Sequence, residues 1–217
     1  MSGLDPGGPT FGAILLAGGR ATRVDGAVKP LFDVGGRTLL SRAVDAARAA
    51  QAHPLVVAAP VLDESLEVEW VADDPPFGGP VAGIVAAFGR SDLWERAPEW
   101  TFVLACDLPQ VGAAVERLAS DVVLLPADTE GLCLADASSR PQWLTGVYRT
   151  RALREAARAM PHAGRHAPVR ELLADLAVAV VAASDDLTAD VDTWEDLHRA
   201  REAAARGTPP PAAEEES

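Results

Sequence analysis

Two rhythms of apolar positions divide the chain. Short, mainly apolar runs at Phe11 to Leu16, Leu55 to Ala59, Trp100 to Ala105, Asp121 to Leu125 and Ala177 to Ala182 predict strands, several of them buried on both faces as in a parallel sheet. Leu66 to Val71 is a weaker strand candidate. Between these runs, apolar residues recur at helical spacing. Thr38 to Ala52 carries Leu39, Leu40, Ala43, Val44 and Ala47 with Arg42, Asp45 and Arg48 between them, and His53 with Pro54 ends it. Pro80 to Phe88 predicts a helix with proline in its first turn, where a missing N–H costs nothing. Gln110 to Leu118, Arg151 to Met160 and Thr193 to Ala205 predict further helices, and the segment Val169 to Asp175 leads into the last strand. The alternation implies an α/β fold, a layered and mostly parallel sheet with helices on both sides. Leu132 to Tyr148 breaks the rhythm: turn-rich Asp136 to Pro141 followed by WLTGVYR predicts an antiparallel excursion near the ligand-facing edge.

Composition narrows the class. At 217 residues the chain suits one domain, with residues 1–10 as a loose leader, 11–205 as the domain and 206–217 as a Pro-rich, then acidic tail. Hydrophobic residues make up 48% and charged residues 24%, no run approaches a membrane span, and the start lacks a signal peptide, so a cytoplasmic protein is expected. A net charge of −13 speaks against a nucleic-acid partner, which needs a basic face. Cys106 and Cys133 are too few for a disulfide framework or a cysteine zinc site and read as core residues. His162 and His166 lie beside Pro161 and Gly164 and read as a solvated loop.

Candidate chemistry gathers at Leu16 to Lys29, LAGGRATRVDGAVK, directly after the first strand. Gly18 and Gly19 can take positive φ and aim backbone N–H groups at an anion; Arg23 can grip phosphate oxygens bidentately, and Lys29 adds a point charge. Lys29 precedes Pro30, so an extended conformation is expected, with Val28 and Leu31 packing the loop down. Neither GxxxxGK[ST] nor GxGxxG is present, so this loop by itself also reads as an ordinary turn. Asp107 follows TFVLAC at the end of a predicted strand, as an Mg²⁺ ligand or a helix N-cap. Asp190, Asp192, Glu195 and Asp196 form a second acidic group; Thr193 with Asp196 fits a capped helix start and leaves Asp192 over. Asp73 and Asp74 precede the Gly/Pro-rich loop PPFGGPVAG. There is no GxSxG or HExxH.

In chain order, LAGGRATRVDGAVKPL, DDPPFGGPVAGI, LACDLP, QWLTGVYR and DVDTWEDL resemble the successive signatures of the molybdenum cofactor guanylyltransferase family, from about Ala13 to Ala200. The resemblance implies a three-layer sandwich of the Rossmann-like nucleotide-diphospho-sugar transferase type. It also implies Mg²⁺-dependent transfer of GMP from GTP to molybdopterin with release of pyrophosphate. By position, Leu16, Ala17, Gly18 and Gly19 would contact the nucleotide, with Arg23 and Lys29 on its phosphates. Asp74 would contact the nucleotide, or Asp73 if the loop slips, and Asp107 both nucleotide and metal. Arg23, Lys29 and Asp107 would be the catalytic set, and molybdoenzymes or cofactor-delivery proteins the partners. Val28 stands where the family has Asp, Val24-Asp25 where it has Met-Gly, and the segment ending at Ala59 lacks the family's Asn. CMP transfer to molybdopterin, GMP transfer to phospholactate, and a non-catalytic nucleotide- or partner-binding relative stay open.

Overall fold

Alternate residues of the first strand, β1 (Phe11–Leu16), face opposite layers of the protein. Ala13 and Leu15 join a core with α1 (Leu39–Ala49) and α3 (Val111–Asp121); Ile14 and Leu16 join another with α2 (Pro80–Gly89) and α4 (Thr150–Ala159). Burial on both sides is why the run is apolar throughout rather than alternating. The structure, a computed structural model, describes residues 8–18 and 27–207. The remaining strands are β2 (Leu55–Ala58), β3 (Glu69–Val71), β4 (Trp100–Ala105), β5 (Gly131–Ala135), β6 (Pro141–Arg149) and β7 (Val178–Ala182). They complete a seven-stranded sheet of order β3-β2-β1-β4-β6-β5-β7, parallel except for β6. Short helices α5 (Val169–Leu172) and α6 (Asp185–Thr188) flank β7, and α7 (Trp194–Gly207) follows. This is the three-layer, mostly parallel α/β architecture expected from the sequence. No helix among the described residues is long and apolar enough to cross a membrane.

The expected strand at Asp121 to Leu125 is not one. Helix α3 runs through Asp121 and a 3-10 turn, Val122–Leu124, follows it. Val122 is buried, but Val123 and Leu124 are 61% and 79% exposed, so no sheet neighbour covers them. A short apolar run has no period that separates a strand from a helix end. The strand lies instead at Gly131–Ala135, inside the antiparallel excursion, where β5 and β6 pair as a hairpin with a register shift at Cys133/Leu134. The Asp136 carboxylate closes its loop by accepting the N–H groups of Ser138 and Arg140. The weaker candidate at Leu66 to Val71 shortens to β3. The leader at residues 1–7 and the tail from residue 208 lie outside the described residues.

Two features of the sheet prepare a site. The chain runs from β1 outward to β2 on one side and takes up β4 on the other, so the loops after β1 and β4 diverge. Leu16 and Ala105 are register partners at that point, and the Cys106 N–H donates to the Leu16 carbonyl at 3.2 Å. Such a switch point at the carboxyl edge of an open sheet leaves a crevice for ligands. On the far side, the Tyr148 ring lies across Gly131 and Gly146, and its hydroxyl donates to the Trp143 carbonyl at 2.7 Å. That bond fixes the part of β6 that carries Trp143 and Leu144.

Candidate active site at the carboxyl edge of the sheet

Asp107 stands where the strands diverge, and it is not a helix cap. The N-cap of α3 is Gln110, which makes no capping side-chain bond. The Asp107 carbonyl instead accepts the Val191 N–H at 2.9 Å, which draws the C-terminal segment across the end of β4. Val191 is buried with Val34, Leu39 and Leu197, so the segment is pinned and its neighbours Asp190 and Asp192 are delivered to the crevice. Carboxylate oxygens of Asp107, Asp190 and Asp192 all lie within 4.8 Å of one another. Burial, followed by the Asp190 charge, pushes the Asp107 carboxyl up to about 6, against the opposing pull of Lys29. The Asp190 carboxyl is also raised, by burial and then by Asp192.

The helix start expected at Thr193 is present. Thr193 Oγ1 accepts the Asp196 N–H at 3.2 Å, and Asp196 Oδ2 accepts the N–H groups of Thr193 at 2.7 Å and Asp192 at 3.1 Å. Capping therefore occupies Asp196 and leaves the Asp192 carboxylate for the site. Sequence reasoning placed Asp190 and Asp192 in one acidic group and singled out only Asp192; the Val191 pairing, which no local pattern announces, makes both converge on Asp107.

Lys29 begins a single 3-10 turn, Lys29–Leu31, rather than an extended stretch. Its Nζ lies 2.5 Å from Asp192 Oδ1. Three residues on, Phe32 stacks on Trp194 with ring centroids 5.3 Å apart, a second tie between this loop and the start of α7. The expected packing by Val28 and Leu31 is absent, since they are 44% and 37% exposed. An ion pair and an aromatic stack aim the ammonium, not an apolar anchor. Gly19 and Arg23 lie outside the described residues.

A cavity of about 550 Å³ opens beside this cluster, lined by Leu16, Gly18, Ala58, Ala59, Asp73, Phe77, Gly83 and Asp107 among others. Gly18 does not adopt positive φ; it provides space, because a Cβ there would lie 3.3 Å from the Ala58 carbonyl oxygen. The Ala17 side chain is buried in the core that includes α1, so only its backbone can serve a ligand. Asp73, not Asp74, lines the cavity. Its carboxylate accepts the Gly78 N–H at 2.6 Å and so shapes the turn into Gly79, whose φ of 94° suits glycine at the start of α2. Asp74 is exposed. His166, read from sequence as part of a solvated loop, also lines the cavity, and its N–H donates to the Gly78 carbonyl at 2.6 Å. A second cavity of about 480 Å³ shares Ala105, Asp107 and Leu144 with the first. Asp107 thus stands at the partition between two rooms. Both cysteines are buried, as expected; burial pushes the Cys133 thiol up to about 12 and raises Cys106 as well, so neither is a nucleophile at neutral pH.

Residues 13–180 match the MobA-like NTP transferase domain. The chain belongs to that family. A relative described as a probable molybdenum cofactor guanylyltransferase, from Synechococcus elongatus, is 32% identical over 149 residues, 64% of this chain and 72% of the relative. A molybdopterin-guanine dinucleotide biosynthesis protein A from Archaeoglobus fulgidus superposes with a TM-score of 0.63 at 22% identity, covering 89% of this chain and 98% of that one. A Mycobacterium tuberculosis protein solved in complex with manganese has a TM-score of 0.63 at 21% identity, with coverage of 89% and 99%. At these identities the two structures speak for the fold. As a member of the MobA-like family the chain is an enzyme of the nucleotidyltransferase type.

Proposed function

We propose that this MobA-like chain transfers GMP from GTP to the phosphate of molybdopterin, with Mg²⁺, and releases pyrophosphate. The observation that supports this most directly is the convergence of Lys29 with Asp107, Asp190 and Asp192 where the two cavities join. The donor set fits the ion: clustered carboxylate oxygens are hard ligands, and Mg²⁺ is usually held by one or two carboxylates plus phosphate oxygens and water. Asp107 and Asp192 would hold it, with Asp190 at the rim. Bound there, it supplies neutralisation of charge on the phosphates in transfer.

The chain's own residues do the positioning. The cavity lined by Leu16 and Gly18 takes the nucleotide, with backbone N–H groups of the loop toward its phosphates. Lys29 leaves Asp192 for the phosphates and stabilises charge that grows as the bond to pyrophosphate breaks. Arg23 joins it, a role that rests on its place in the signature. Asp73, rather than Asp74, holds the loop over the nucleotide through Gly78. The acceptor's own phosphate is the nucleophile, so the reaction needs no serine, cysteine or strong base. Residues 11–205 form the catalytic domain of a cytoplasmic enzyme that passes its product to molybdoenzymes or delivery proteins.

The test is pyrophosphate release with Mg²⁺ and molybdopterin across GTP, CTP, ATP and UTP. A GTP preference supports the reading. A CTP preference would move the chain to cytidylyl transfer, and binding without release under every nucleotide would make it a non-catalytic relative.

A further inference from the structure

The second cavity carries an unusual charge pattern. Asp107 and Asp190 place two carboxylates in its lining, while Trp143, Leu144, Pro141 and Val169 supply apolar surface. Arg170, in α5, is the one cation among its described lining residues. The guanidinium belongs to an exposed residue and has neither an ion pair nor a side-chain hydrogen bond among the described residues. Four other arginines, Arg149, Arg151, Arg154 and Arg158, line a described cavity that also holds Glu99 and Glu155, and Arg149 and Arg151 are ion-paired to those carboxylates.

A phosphate that enters this room meets two carboxylates that repel it. Arg170 lines the same space, and its planar guanidinium can offset that repulsion and grip two oxygens at once. We propose that Arg170 selects the acceptor, by binding the phosphate of a phosphomonoester whose flat, apolar body lies along Trp143 and Leu144. The inference rests on the nucleotidyl-transfer reading above, which requires a nucleophile in the second room. In the transfer, an oxygen of the acceptor phosphate forms a bond to the α-phosphorus of the nucleotide. The bond from that phosphorus to the oxygen bridging to the β-phosphate breaks, and its electron pair leaves on pyrophosphate. A dianionic acceptor phosphate has no proton to give up. Arg170 would hold the non-attacking oxygens and leave the attacking one free.

The test compares the full-length wild-type chain with Arg170→Ala and Arg170→Lys in Mg²⁺, with GTP present and phenyl phosphate as the probe. Saturation-transfer NMR measures phenyl phosphate, and calorimetry measures GTP on the same samples. The expected result is phenyl phosphate affinity about 10- to 100-fold weaker in Arg170→Ala, partly restored in Arg170→Lys, with GTP affinity unchanged in both. With molybdopterin as substrate, the acceptor KM should rise by a similar factor while kcat and the KM for GTP hold. Equal phenyl phosphate binding by wild type and Arg170→Ala, or none by wild type, overturns the assignment of Arg170 while GTP binding stands. Failure of wild type to bind GTP overturns the guanylyl reading, and the acceptor role with it.

Discussion

Lys29 and Asp192, 163 residues apart in sequence, meet through an ammonium-to-carboxylate contact of 2.5 Å. The same carboxylate belongs to the cluster with Asp107 and Asp190, so a metal ion held there would compete with the ammonium for it. Lys29→Ala should therefore act in opposite directions on two measurements. Without nucleotide, Mn²⁺ should bind several-fold more tightly than to wild type, as read by the signal of the free ion in electron paramagnetic resonance. With nucleotide and acceptor, turnover should fall by about 10²–10³, as for removal of one preorganised donor. Stability should change by less than about 1 kcal/mol, since a part-exposed ion pair contributes little. Weaker Mn²⁺ binding by the nucleotide-free variant would contradict the competition. Lys29 is the only lysine in the chain, so ¹⁵N-lysine labelling gives one side-chain ammonium signal with which to follow the exchange during an Mg²⁺ titration.

The Asp107 carboxyl, raised to about 6 by burial and then by Asp190, makes metal binding and stability respond to pH in opposite senses. Below about 6 the group is protonated and poor as a ligand, so Mg²⁺-dependent activity should decline as pH falls through that value. For stability, the native state binds the proton more tightly than the unfolded chain does. The stabilising contribution is therefore fully present below the unfolded value of about 3.9 and is lost as pH rises through about 6. Asp107→Asn should accordingly be more stable than wild type at pH 8 in chelator, by about 3 kcal/mol, and converge with it near pH 4. A lower melting point for the variant at pH 8 would mean that the carboxylate supports the fold rather than strains it.

Asp73 lines the cavity and bonds Gly78, while its neighbour Asp74 is exposed. Asp73→Asn keeps the size of the side chain but weakens its 2.6 Å bond to Gly78, so GTP affinity should drop about 10-fold, in line with a charge-assisted hydrogen bond. Asp74→Asn, at an exposed position, should bind GTP like wild type. Equilibrium binding to both variants decides between them, and the reverse ranking would restore Asp74 to the site.

Gly83 lets α2 approach the end of β1. A Cβ there would lie 3.1 Å from the Ala58 Cβ and 3.2 Å from Leu16 Cδ2, and Gly83 also lines the cavity of about 550 Å³. Gly83→Val should cost about 1–3 kcal/mol by overpacking and weaken GTP more than phenyl phosphate. Chemical denaturation gives the first quantity and calorimetry the second; equal loss of both ligands would point to general disorder of the edge.

Much of this architecture was legible in local pattern. β1 and β4 begin and end where their apolar runs do, because strands covered on both faces require unbroken apolar residues. The Thr193 and Asp196 capping pair was readable because it lies within one turn. What failed was long-range. Val123 and Leu124 look like a strand but trail a helix into solvent, and nothing nearby in sequence reveals that the sheet passes them by. Asp190 gains its place from Val191 pairing with the Asp107 carbonyl, and His166 from a bond to Gly78; each is a contact between distant segments. Gly18 lines the cavity for another reason than the one expected: it supplies clearance from Ala58 rather than a left-handed turn.

The Val191 to Asp107 bond also orders events in the life of the polypeptide. During synthesis, the strand ending in Asp107 leaves the ribosome long before the segment with Asp190 and Asp192 exists. Chains fold from the amino terminus as they emerge, so the sheet can assemble while its carboxyl edge bears a lone aspartate. The three-carboxylate cluster is then among the last features acquired, and a nascent chain released early would be folded in outline yet lack two of its three carboxylates.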